Sequence, residues 1–179
     1  MCLAMASCDA LGLTREVRVQ SLDTVAGALD RDPDARVLEF RNVMIRPDLA
    51  GIKTRGYSSV GRTSGQSRRK IVAAMIPVVD EGWTPEQPIA VWVRLDAPGD
   101  SLDAPALQRQ IAALIEAAAS GPLRVNATQT MPEKVNMDGT NAFTIGARRA
   151  MEEHGLTSPP GAVLATWPAK MKGPLRVAD

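Results

Sequence analysis

Ten consecutive residues, Lys70 to Val79, include Ile71, Val72, Ile76, Val78 and Val79 and are bounded by Gly65 and Gly82. β-branched side chains lose rotamer freedom in a helix and pack well on a pleated surface, so this run predicts a strand. Pro77 lacks the N–H that a ladder needs, which predicts an edge, a bulge or a break near the strand's end. After a turn through Gly82, Thr84 and Pro85, residues Ile89, Val91, Val93 and Leu95 alternate with Ala90, Trp92 and Arg94, the period of a second strand. Whatever else the chain does, it must build a sheet around these two segments.

What covers that sheet follows from the side chains on offer. The 179 residues are 45% hydrophobic but only 3% aromatic, so the core is built from Val, Ile, Leu, Met and Ala. Such small side chains suit a sheet under close-packed helices, in one domain with at most one appendage. Leu107, Ile111, Leu114, Ile115 and Ala118 recur at helical spacing, with Ser101 or Asp103 expected as the cap and Gly121–Pro122 as the stop. The apolar side of this helix must cover either the neighbouring sheet or a second copy of the chain.

The flanking segments are less sharply marked. Glu16 to Leu22 reads as a short strand, Thr24 to Leu29 as a helical turn or a loop, and Asp32-Pro33-Asp34 as a turn. Arg36 to Arg46 reads as one strand closed by Pro47, and Gly51 to Val60 as another extended piece. Val125 to Gly139 is polar and turn-rich, after which Asn141 caps a helix through Glu153 with Phe143, Ala147, Ala150, Met151 and His154 inward. The Pro/Gly-rich last twenty residues read as an extended arm with Trp167 as anchor. The expected organisation is a short arm over 1–14, a sheet-and-helix domain over 15–123 and a C-terminal extension over 124–179.

Charge is segregated along the chain. From Leu49 to Val79 there is no acidic residue, while Lys53, Arg55, Arg62, Arg68, Arg69 and Lys70 are all basic, on a protein whose formal charge is only +1. A basic stripe on a near-neutral chain predicts a surface for phosphate or another polyanion. Strand parity divides it, because Arg69 and Ile71 belong to one face and Arg68 and Lys70 to the other. Aligning more of the charge requires several strands or two subunits side by side.

Other chemistry is thinly represented. The single histidine, His154, has no second histidine or cysteine to complete a metal set, and Asp100, Ser101 and Asp103 have no histidine spaced for a triad. Gly61-Arg62-Thr63-Ser64-Gly65 lacks the lysine and hydroxyl of a P-loop and reads as a hairpin turn. The residues therefore predict no catalytic site, no metal and no cofactor. Cys2 and Cys8 offer no disulfide framework. Met5-Ala6-Ser7-Cys8 resembles a lipoprotein processing site, but the preceding residues are few and carry no positive charge, so a misplaced start or a short disordered arm is expected instead. No apolar run is long enough for a membrane helix, and no membrane partner is expected.

The run from Arg62 through Arg68-Arg69-Lys70-Ile71 to Pro77-Val78-Val79 resembles the central hairpin of the coat proteins of single-stranded RNA bacteriophages, the levivirus-like family. The following pieces keep the same order: a loop, the strand Ile89 to Leu95, an Asp/Ser-rich connection and the Ala/Leu-rich helix from Gln110 to Ala118. The resemblance covers roughly residues 15–123. It implies an α+β subunit with an N-terminal hairpin and an antiparallel sheet followed by helices. It also implies an intertwined homo-dimer that assembles into an icosahedral shell, a virion built in the bacterial host cytoplasm. The sheet would face single-stranded RNA and bind a genomic hairpin, with Arg62, Ser67 and Arg69 at RNA-facing positions and Arg55 beside them. Ile71 and Ala73 stand where that pattern has a polar and a basic residue, and the base-stacking aromatic has no counterpart. Two readings of other classes stand beside it: a small cellular RNA- or protein-binding module, and a lipid-anchored envelope protein beginning at Cys8.

Overall fold

The computed structural model describes residues 17–59, 67–132, 141–168 and 175–177. Its strands are β1 (Val17–Leu22), β2 (Val37–Phe40), β3 (Val43–Ile45), β4 (Gly51–Ser59), β5 (Ser67–Asp80), β6 (Val91–Pro98), β7 (Leu123–Thr130), β8 (Val163–Thr166) and β9 (Leu175–Val177). Two α-helices join them, α1 (Pro105–Ser120) between β6 and β7 and α2 (Ala142–His154) between β7 and β8. All nine strands belong to one sheet in the order β3, β5, β6, β8, β7, β2, β1, β9, with β4 also on β5. The class is α+β, as the sequence predicts.

The internal arrangement differs from the expected one. The sheet is mixed, not antiparallel: β1 runs parallel to both β2 and β9, and β6 parallel to β8. There is accordingly no hairpin of β1 and β2. The single strand expected over Arg36 to Arg46 is two strands, because Asn42 adopts a left-handed conformation at φ 54°, which asparagine tolerates better than most residues. The chain leaves β2, which pairs with β7, and after Arg41 and Asn42 re-enters the sheet as β3, which pairs with β5. The polar stretch after Val125 and the supposed C-terminal arm supply β7 and β8, which pair with each other in the middle of the sheet.

Pro77 shows why a proline can sit inside the long β5. β4 pairs with Ser67 to Met75 and β3 with Val78 to Asp80, so the ladder on that side is interrupted opposite Ile76 and Pro77. A 3-10 turn, Pro47–Leu49, fills the gap, and the Arg46 N–H donates to the Pro77 carbonyl at 3.1 Å. The break expected from the residue is a break in its neighbour.

Each face of the sheet carries a helix. Val72, Ala74, Ile76 and Val78 of β5 pack with Val91, Val93 and Leu95 beneath Leu107, Ile111 and Leu114 of α1. On the other face Met75 and Val79 pack with Trp92 and Leu164 beneath Phe143, Ala147 and Ala150 of α2. Burying a Leu or Ile side chain stabilises by about 1.5–3 kcal/mol, so the α1 stripe is a principal anchor of its face. It is satisfied within one chain; Ile115, 42% exposed, faces outward.

The helix termini follow different rules. No side chain caps α1: neither Ser101 nor Asp103 takes that role, and Ala104 precedes Pro105 at the first helical position. Proline has no N–H to satisfy and is preset for a helix start, which explains why a side-chain cap is dispensable. α2 begins as expected, with Asn141 Oδ1 accepting from the Phe143 N–H at 3.1 Å, and ends at left-handed Gly155.

Candidate nucleic-acid interface

The basic segment folds as β4 and β5, paired antiparallel from Gly51 opposite Met75 to Ser59 opposite Ser67. The pleat sorts the charges. Lys53 is opposite Ala73, Arg55 opposite Ile71 and Tyr57 opposite Arg69, so positions 53, 55 and 69 share the parity of Met75, on the α2 face. Positions 68 and 70 share the parity of Val72, on the α1 face. There Lys70 is neutralised by Asp100 at 3.0 Å, while the Thr54 hydroxyl donates to the Asp100 carbonyl.

Of the predicted RNA-facing residues, Arg55 is half-buried on β4. Ser67 and Arg69 occupy β5 register positions of the same parity as Arg55. Arg62 lies outside the described residues, as does the arm containing Cys8. The register thus brings three of the four positions onto one face of one hairpin.

α2 also contributes to this face, through a tertiary contact that no local sequence pattern encodes. This helix crosses β4 so closely that a Cβ on Gly51 would clash with the Gly146 carbonyl oxygen. Arg149 projects from it and is exposed; its Nη1 donates to the Ile52 carbonyl at 3.0 Å. Half-buried Lys53 lies beside it, and its amine is held below the usual lysine range, first by burial and then by repulsion from Arg55 and Arg149. Lys53 was legible as the alternate-position partner of Arg55. Arg149 was not, because nothing local relates residue 149 to residue 52.

The same face changes character toward β6. Arg94 is engaged by Asp96, with Nε donating to Oδ1 at 2.8 Å, and stands over the Phe143 ring at 4.6 Å. Further along, buried Glu39 accepts from Arg124 Nε at 2.7 Å and from the Ser21 hydroxyl at 3.1 Å. The Arg124 hydrogen bond holds the Glu39 carboxyl below its ordinary value, against the opposing effect of burial. These arginines are committed to carboxylates, Arg94 to Asp96 and Arg124 to Glu39.

Among the described residues, no group of three or more His, Cys, Asp and Glu is placed to hold a metal. No described helix is long and apolar enough to cross a membrane. A cleft of about 260 Å³ lies between Val25 and the β5–β6 connection, and Asp80 and Glu81 line it with Trp83 and Gln87. Asp80 accepts the Val25 N–H there at 2.8 Å, a structural use of the carboxylate. Trp92 is fully buried, with its Nε1 donating to Ser158, as expected of a packing residue.

No protein-family model, curated protein or solved structure matches this chain.

Proposed function

We propose that this protein is a non-enzymatic structural subunit that packages single-stranded RNA, self-associating into a shell of the kind built by RNA-phage coat proteins. The observation that carries the reading is the β4–β5 hairpin, acid-free from Gly51 to Val79, which gathers Lys53, Arg55 and position 69 on one face at the edge of the sheet. Arginine makes two directed bonds to phosphate oxygens, and lysine contributes a point charge, so the hairpin suits a phosphate backbone better than a neutral ligand. With few aromatics available for stacking, affinity rests on charge and hydrogen bonding.

A second reading is favoured by one specific observation. The apolar stripe of α1 is consumed by its own sheet, so the subunit does not need a partner to bury Leu107, Ile111 and Leu114. A small RNA-binding module would use the same hairpin without forming a shell. Multi-angle light scattering across protein and salt concentration separates the two. The packaging reading expects dimers or larger assemblies throughout, and a monomer under every condition sinks it.

A further inference from the structure

We propose that Arg149 of α2 joins Lys53 and Arg55 of β4 in a phosphate-binding cradle for the RNA backbone, built where the helix crosses the edge of the sheet. This inference rests on the RNA-binding reading and adds a helix-borne contact that the basic hairpin alone does not provide.

The geometry comes from three constraints. Gly51 and Gly146 bring helix and strand together, since a side chain at Gly51 would strike the α2 backbone. Arg149 is then tied to the strand through the Ile52 carbonyl at 3.0 Å. One guanidinium N–H makes that bond, and a guanidinium has five, so the anchored group retains donors to offer an anion. The strand period finally sets Lys53 and Arg55 on the α2 side, with Lys53 within electrostatic reach of Arg149.

The electrostatics point the same way. Among the described residues, the charges that act on the Lys53 amine are positive, from Arg55 and Arg149. Asp96 is on the same face two strands away, but Arg94 holds it. A phosphate at the cradle would relieve the repulsion that Arg55 and Arg149 exert on Lys53. Anchoring Arg149 beforehand also reduces the ordering cost of binding.

Fluorescence anisotropy of a labelled 20-nucleotide oligouridylate, titrated with full-length protein over a range of KCl concentrations, tests this directly. For single strands each neutralised phosphate contributes about 0.7 to the slope of log affinity against log salt. Arg149→Gln and Lys53→Gln are each expected to lower that slope by about 0.7 and the affinity at 0.1 M salt about fivefold. Arg149→Lys should restore most of both. Arg109→Gln, an exposed cation on α1, should leave them unchanged.

Wild-type slope and affinity in both Arg149→Gln and Lys53→Gln would overturn the cradle while leaving RNA binding by the hairpin intact. Equal loss in Arg149→Gln and Arg149→Lys would also overturn it, since that pattern marks packing and not charge. Failure of the wild-type protein to bind the oligonucleotide would remove the underlying reading as well. Should Arg149→Gln lose its cooperative melt, Lys53→Gln decides by the same slope.

Discussion

At the scale of single residues, the approach of α2 to the sheet depends on two side chains that are absent. A Cβ at Gly51 meets the Gly146 oxygen and, at 2.6 Å, the Ala150 nitrogen, whereas a Cβ at Gly146 meets Met75 Cγ at 2.5 Å. Backbone cannot rotate away as a methionine side chain can. Gly51→Ala is therefore expected to cost about 3 kcal/mol, the upper end for overpacking, and more than Gly146→Ala in urea denaturation. Equal, small losses would show that the helix rides further from the strand. The Glu39–Arg124 pair makes a different prediction. Glu39 is 6% exposed, and its folded-state pKa is below the ordinary 4.5. Its contribution is fully present above that ordinary value and is lost as pH falls through the lower folded one. Arg124→Met leaves a buried carboxylate unpaired and is expected to cost about 3 kcal/mol at neutral pH, the low end because Arg124 is 38% exposed. It should also flatten the acid limb of stability against pH. An unchanged acid limb would assign the pH dependence elsewhere.

At the scale of elements, the parts legible in the sequence are those whose signals are local. The β-branched run, the alternation after it and the helical period of Leu107, Ile111 and Leu114 each encode their own geometry. The division of Arg36 to Arg46 into β2 and β3 hung on one left-handed residue, Asn42, whose neighbours continue the strand pattern on both sides. β7 and β8 were hidden for another reason. Their pairing joins residues far apart in sequence, and the polar residues of β7 mask a strand whose buried positions are only Leu123 and Val125. The same limit explains the site: parity on the hairpin was readable, while the arrival of Arg149 depended on tertiary packing. The α1 stripe gives the test at this scale. Leu107→Ala and Leu114→Ala are each expected to lose about 2–5 kcal/mol, while Ile115→Ala stays within about 0.5 kcal/mol because it is exposed. A large loss at Ile115 in a concentration-dependent melt would instead assign that residue to a contact between subunits.

At the scale of the molecule, a mixed sheet with one helix on each face leaves only part of either face for a ligand. The coat-family resemblance implies a broad RNA-facing sheet; here α2 occupies the region over Met75 and Trp92, and the basic surface is concentrated at the β4–β5 edge. A shell would have to align these edges from many subunits to give RNA a continuous path, which ties packaging to assembly. Charge reversal at the edge should then separate the two: Lys53→Glu with Arg55→Glu is expected to reduce the RNA carried by purified assemblies, read from the ratio of absorbance at 260 and 280 nm. The most direct measurement is negative-stain electron microscopy of the expressed protein after nuclease treatment, with extraction of any protected RNA. Uniform closed particles enclosing nuclease-resistant RNA are expected; dispersed subunits without particles, at every salt and protein concentration, would rule out a packaging shell.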